Sequence, residues 1–187
     1  MKKEYVFDKS IEYIQKKVKE ILNKVSKNEI EKIKNLFFRS NRIFVYGAGR
    51  SGLVAKAFAI RLIHLGFQAF VIGETITAPV KKGDLVIIIS GSGETIPAVM
   101  TAEIAHKIGA YVVSITGKKD SDIGKFANVT LFISSYCDEK ERKKYAPLGT
   151  LFEASVWILL DGLAAELLYS KNETEEIMRS RHATLEH

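Results

Sequence analysis

The stretch Ile43-Phe44-Val45-Tyr46-Gly47-Ala48-Gly49-Arg50-Ser51-Gly52 reads as an apolar, β-prone run that opens into a glycine turn and then a helix. The same design returns at Val86-Ile87-Ile88-Ile89-Ser90-Gly91-Ser92-Gly93-Glu94-Thr95. Glycines let backbone N–H groups converge, and a helix N-terminus behind them adds donors and a dipole that favours an anion. Two such turns in one chain suggest a phosphate pocket. Ser51, Ser90, Ser92 and Thr95 can add hydroxyl hydrogen bonds to it. They cluster at the ends of two apolar runs, and ligands of open α/β sheets gather outside the carboxyl ends of strands.

Other readings stand beside this one. Gly47-Ala48-Gly49-Arg50-Ser51-Gly52 also fits a dinucleotide fingerprint, with Glu74 after the next apolar run as an acid for a ribose. Against it, the second glycine loop supplies a competing phosphate site, and the chain is short for a nucleotide domain plus a substrate domain. Arg50 stands where it can neutralise a small phosphate, or it is an ordinary solvated arginine. Neither glycine run continues into Gly-Lys-Ser or Gly-Lys-Thr, so a Walker loop is absent.

At 187 residues the chain fits one domain with a sizeable core, divided as an N-terminal helical extension over 1–41 and a main unit over 42–187. With 47% hydrophobic and 27% charged residues it is globular rather than disordered, and no uncharged apolar run is long enough to span a membrane. No signal-peptide hydrophobic region opens the sequence, which makes a cytoplasmic location the expectation. A single cysteine, Cys137, forms no intrachain disulfide and reads as incidental. The formal net charge is +6, but residues 1–41 hold 11 Lys or Arg against 6 Asp or Glu, and the remainder holds 17 against 16. The excess therefore lies on the N-terminal helices, interspersed with acids, as a solvated amphipathic face rather than a nucleic-acid stripe.

Apolar periodicity predicts a helix over 8–25 and a second opened by a capping box at Ser26-Lys27-Asn28-Glu29. Both are expected to cover the α/β core or a neighbouring subunit. Strands are expected at 43–46, 67–72, 85–89, 111–115 and 129–133, and helices at 52–66 and 97–108. The link through Thr75, Thr77 and Pro79 is too short for a crossover helix and reads as a substrate loop or an ordinary connection. The polar segment 136–144 is expected to cross the surface. A mostly buried helix follows over 151–168, and Asn172-Glu173-Thr174-Glu175 fits a capping box for a short final helix. Alternating strand and helix periods imply an α/β layer fold with a largely parallel sheet.

Glu153 opens the apolar helix behind a glycine-bearing loop. With Thr150 it fits Thr-x-x-Glu, so it reads both as a helix cap and as a general base. Asp161 and Glu166 belong at a polar edge or an oligomer contact. His64 and His106 near helix ends read as packing or surface residues, while His182 lies in a terminal segment able to close over a neighbouring pocket. No paired His or Cys spacing supplies a metal site. Leu185-Glu186-His187 fits a vector-derived tail, and His187 is assigned no role.

The chain resembles the sugar isomerase (SIS) family from its N-terminal helices almost to Glu186. The resemblance rests on Gly47–Gly52, Gly73-Glu74-Thr75, Ser90–Thr95, Pro147-Leu148-Gly149-Thr150-Leu151-Phe152-Glu153 and Arg181-His182-Ala183-Thr184-Leu185-Glu186. Thr184 replaces the asparagine common in the last motif. The resemblance implies a single three-layer domain, a five-stranded parallel sheet of flavodoxin-like order flanked by helices, and a homotetramer with pockets near subunit interfaces. It places Ser51, Ser90, Ser92 and Thr95 around a sugar phosphate, with Gly49, Arg50, Gly91 and Gly93 as further substrate contacts. It makes Glu153 the proton-transfer residue, His182 a contributor from a neighbouring chain and His64 an alternative acid-base group. The activity implied is reversible conversion of D-arabino-hex-3-ulose 6-phosphate to D-fructose 6-phosphate in the ribulose monophosphate pathway, with no cofactor or metal and no nucleic-acid or membrane partner. The rivals within the resemblance are an aldose–ketose phosphate isomerase and a non-catalytic phosphosugar-binding module.

Overall fold

The computed structural model describes residues 5–134 and 138–183. Five strands form one sheet: β1 (Ile43–Gly47), β2 (Ala69–Val71), β3 (Leu85–Ser90), β4 (Tyr111–Thr116) and β5 (Val129–Phe132). All neighbours are parallel and the order is β2-β1-β3-β4-β5. This is the flavodoxin-like order, not the order of a dinucleotide fold.

Strands β1 and β3 read as nearly unbroken apolar runs because both faces of the sheet are covered, and alternate residues serve alternate faces. Phe44, Val86, Ile88 and Val112 meet Ala98, Ala102 and Ala105 of α4 (Ile96–Ile108). Ile43, Val45, Ile87, Ile89, Val113 and Ile115 meet the opposite layer. That layer holds α3 (Arg50–His64) and α6 (Thr150–Ser170), the latter burying nine residues between Leu151 and Leu167. The chain leaves β1 for β2 on one side and returns to β3 on the other, so β1 and β3 flank a topological switch point. Both glycine loops lie at the carboxyl ends of these two strands.

The N-terminal helices α1 (Val6–Leu22) and α2 (Lys27–Arg39) belong to the same packed core. Ile21 of α1, and Ile33, Leu36 and Phe37 of α2, are buried in the layer that contains α6, and Val18 of α1 is buried as well. Ser26 caps α2 as its motif predicts, its Oγ accepting from the Glu29 N–H at 3.3 Å. The apolar stripe of α1 is thus largely spent inside the chain. Exposed apolar side chains remain at the start of α1 (Val6, Phe7 and Ile11), and others form rows on the core helices: Leu53 and Ile60 on α3, Trp157 and Ile158 on α6, Ile96, Met100 and Ile104 on α4.

Several local details differ from expectation, each through hydrogen bonds between residues a few positions apart. Strand β2 is only three residues long, because Gly66 (φ 76°) and Phe67 turn back to close α3, their N–H groups donating to Ile63 O and Leu62 O. Residues Glu139–Tyr145 cross the surface as expected, with no buried residue, and do so as a short helix, α5, started by Asp138 accepting from the Glu141 N–H at 2.9 Å. The Asn172 capping box does not form. Asn172 takes a left-handed conformation (φ 51°) to end α6, and α7 (Glu175–Ser180) starts after Thr174 without a side-chain cap. The Thr150 box fails as well, since Gly149 is the N-cap and Thr150 Oγ1 donates to Pro147 O at 2.6 Å. Cys137 and residues 184–187, including Thr184 and His187, lie outside the described residues. Among the described residues no helix is long and apolar enough to cross a membrane.

Candidate active site

The first glycine loop brings α3 down onto the end of β1. A Cβ on Gly47 would lie 2.7 Å from the Ser51 backbone, and one on Gly52 would lie 2.6 Å from the Gly47 carbonyl oxygen. Gly49 makes the turn itself at φ 58°. The helix therefore starts directly above the strand, with Arg50 in its first turn and Ser51 almost buried beside it. First-turn N–H groups that have no carbonyl within the helix are what an anion recognises.

The second loop is a cup of hydroxyls. Ser90 Oγ accepts from the Gly93 N–H at 3.1 Å and lies 3.3 Å from Thr95 Oγ1. Ser92 Oγ accepts from the Glu94 N–H at 3.2 Å and approaches the same Thr95 hydroxyl at 3.4 Å. Ser90, Ser92 and Thr95 thus converge as the motif predicts, although Ser90 is nearly buried and also shapes the turn. The segment after β4 braces the cup: Gly117 N–H donates to Gly91 O at 3.0 Å, and Ile123 N–H to Gly93 O at 3.1 Å. Lys118 pairs with Glu94 at the rim, and that hydrogen bond raises the lysine above its ordinary value.

Gly93 has a left-handed φ of 66°, and a Cβ there would lie 2.3 Å from Ser121 Cβ and 2.7 Å from Thr116 Oγ1. Gly93→Ala should therefore deform the cup rather than the sheet, and inorganic phosphate, the anion its hydroxyls and N–H groups suit, should then bind about tenfold or more weakly. Calorimetric titration alongside a thermal melt checks this; unchanged affinity would place the phosphate elsewhere.

Glu153 stands in the first turn of α6 with its side chain only 12% exposed. Its carboxylate does not cap its own helix. It accepts a hydrogen bond from Arg50 Nε, which ties the first loop to the candidate base. Gly149 packs on the other side of the carboxylate, where a Cβ would lie 3.0 Å from Oε1. Arg50, Thr150 and Glu153 form the polar wall of a cleft whose apolar wall is Leu53, Ala154, Trp157 and Ile158.

His64 and His182 are also brought together, but in another place. Their ring centroids lie 4.0 Å apart at the carboxyl end of α3. Arg181 holds this corner by donating to His64 O at 3.0 Å and to both oxygens of Glu173 at 2.6 and 3.1 Å. The same contacts keep the Glu173 carboxyl below its ordinary value. Arg50 and His64 are the two ends of α3, roughly 20 Å apart at the rise of an α-helix. Within one chain the histidines therefore do not reach Glu153.

The remaining polar residues take structural partners. His106 Nδ1 lies 3.1 Å from Phe126 O, Glu74 pairs with Lys56 at 2.5 Å, Glu166 pairs with Lys34 at 2.9 Å and Asp161 with Arg61 at 3.6 Å. Among the described residues no group of three or more His, Cys, Asp or Glu is arranged to hold a metal ion. Thr116, Lys118 and Ser121 were missed in the sequence. Their signal was available, because Thr116-Gly117 ends an apolar run just as the two glycine loops do.

Such a sheet with such loops is that of the SIS domain, whose family model matches residues 36–157, and the chain belongs to that family. The 3-hexulose-6-phosphate isomerase of Bacillus subtilis (strain 168) is 37% identical over 184 residues, covering 95% of this chain and 100% of that protein. A hypothetical protein of known crystal structure is 38% identical and superposes with a TM-score of 0.93, covering 97% of this chain and 98% of that one. A hypothetical protein from Methanococcus jannaschii is 31% identical with a TM-score of 0.85, covering 95% of this chain and 99% of that one. Its crystal structure infers a molecular function of 3-hexulose-6-phosphate isomerase.

Proposed function

We propose that this chain is a phosphosugar isomerase that interconverts D-arabino-hex-3-ulose 6-phosphate and D-fructose 6-phosphate, with Glu153 as the proton-transfer base. The observation that carries the reading is the placement of a largely shielded carboxylate, held by Arg50, directly beside a phosphate-type loop. The names of relatives that align over nearly the whole chain supply the substrate. The phosphate rests on Ser51, Ser90, Ser92 and Thr95 and does not react. Glu153 takes the proton from C2 and returns it to C3 through a 2,3-enediol or enediolate, while Arg50 faces the oxygen charge that develops. Gly49, Gly91 and Gly93 let the backbone approach the substrate. The step as written uses neither metal nor cofactor.

The acid-base partner comes from a neighbouring chain, His182 first and His64 second, in a homotetramer whose sites are shared between subunits. The separation of these histidines from Glu153 within the chain favours this, as does the open apolar wall of the cleft. The exposed rows on α3, α6 and α4 are the surfaces through which copies associate. Residues 1–41 act as an extension of the same unit as 42–187. The enzyme works in the cytoplasm, in the ribulose monophosphate pathway.

Incubation of the purified protein with hex-3-ulose 6-phosphate and a panel of aldose phosphates, with products resolved by isomer-specific NMR, tests the reading. Selective formation of fructose 6-phosphate is expected. Turnover of an aldose phosphate alone would assign a neighbouring isomerase activity, and saturable binding without turnover would assign a non-catalytic module. Ser51→Ala and Ser92→Ala should each weaken phosphosugar binding by about tenfold, the worth of one hydrogen bond to a charged group, with the melting temperature little changed. Wild-type affinity in both folded variants would reject this phosphate site.

A further inference from the structure

The residue before the candidate base carries no reactive group, yet it touches both segments that build the phosphate cup. Phe152 is 5% exposed. A Cβ on Gly91 would lie 3.2 Å from its Cδ1, and a Cβ on Gly117 would lie 3.5 Å from its Cδ2. Opposite edges of one ring thus meet the second glycine loop and the brace behind it, and these two are themselves fastened by the Gly117 N–H to Gly91 O bond at 3.0 Å. At Gly91 the absence of a side chain is what admits the ring, whereas at Gly117 it admits the Gly91 carbonyl oxygen, from which a Cβ would lie 2.8 Å.

We infer that Phe152 is a positioning residue that couples the second phosphate loop to the placement of the Glu153 carboxylate. The inference rests on the proposed isomerase reading and adds to it how binding at one end of the substrate is felt at the other. The two residues are consecutive in the first turn of α6, whose inner face is buried in the core, so a shift of the ring moves the backbone that carries Glu153. Close-packed interiors transmit such shifts instead of absorbing them. Proton transfer is sensitive to placement, and a displacement of about 1 Å can cost about a hundredfold in rate. A phosphate seated in the cup orders Gly91 to Gly93, the ring follows the loop, and the carboxylate is set for the carbon it must deprotonate. A ring that served the core alone would affect stability without affecting the rate of the folded enzyme.

Phe152→Leu keeps apolar volume but loses the flat, two-edged contact, and Gly91→Ala pushes a methyl group into the same ring. Each is expected to lower kcat by about tenfold, and in Phe152→Leu, which does not touch the substrate, KM changes by less than about threefold. The double variant is expected to lose several-fold less than the product of the two, because the smaller side chain makes room for the added methyl group. Phe152→Met serves as the second variant if Phe152→Leu does not fold.

A readout independent of turnover is the amide resonance of Glu153 during titration with inorganic phosphate. Saturation should shift it in the wild type and shift it less than half as far in Phe152→Leu, with phosphate still bound. Unchanged kcat in folded Phe152→Leu, additive losses in the double variant, or an undiminished phosphate-induced shift would each overturn the coupling. A wild type that turns over no phosphosugar but shows the shift and its loss would overturn the isomerase reading and leave the coupling standing. A wild type that binds no phosphate overturns both.

Discussion

Glu153→Gln is expected to fold, to bind phosphosugar within a fewfold of wild type, and to lose about a hundredfold or more of its turnover, the usual worth of a positioned general base. The geometry makes this a clean experiment. Glu153 does not cap its own helix, so α6 loses no cap when the charge is removed. The glutamine carbonyl can still accept from Arg50 Nε, which preserves the link to the first loop, but an amide cannot take a proton from carbon. Circular dichroism and calorimetry establish the fold and the binding. Deuterium exchange at C2 and C3, followed with product formation, isolates the proton-transfer step. Near-wild-type exchange in the folded variant would sink the assignment and turn attention to the histidines.

Chains carrying Glu153→Gln and chains carrying His182→Ala, each nearly inactive alone, are expected to restore activity on mixing. Glu153 lies at one end of α3 and the His64–His182 pair at the other, so a site that uses both draws them from different subunits. In a randomly exchanged equal mixture about one site in four combines an intact Glu153 with an intact neighbouring His182, and recovery should approach about a quarter of wild-type activity. Subunit exchange is followed by mass spectrometry of differently tagged chains. Demonstrated exchange without recovery would confine catalysis to one chain and leave His182 as packing for the corner built by Arg181 and Glu173.

The local elements were legible wherever the signal was local. Unbroken runs such as Val86–Ile89 announced strands covered on both faces, Gly47 and Gly93 marked turns with no room for a side chain, and Gly49 one that needs a positive φ. Ser26 capped its helix as read, because its hydroxyl and the Glu29 N–H lie within one turn of each other. Two other capping boxes failed for a common reason. A capping motif scores only residues a few positions apart, whereas Asn172 is spent on ending α6 and the Glu153 carboxylate is claimed by an arginine 103 residues away.

The sequence alone therefore settled the alternation of strands and helices and the convergence of Ser90, Ser92 and Thr95, since spacing within one turn dictates which groups can meet. Its resemblance to a known family supplied the sheet order, which periodicity leaves open. Only the tertiary structure decided that Arg50 holds Glu153, that Phe152 touches Gly91 and Gly117, and that His64 and His182 meet far from the base within the chain. Each of these depends on how α6 packs across α3 and the loops. Such packing is set by the shapes of buried surfaces distant in the chain, and a pattern read along the chain does not contain them.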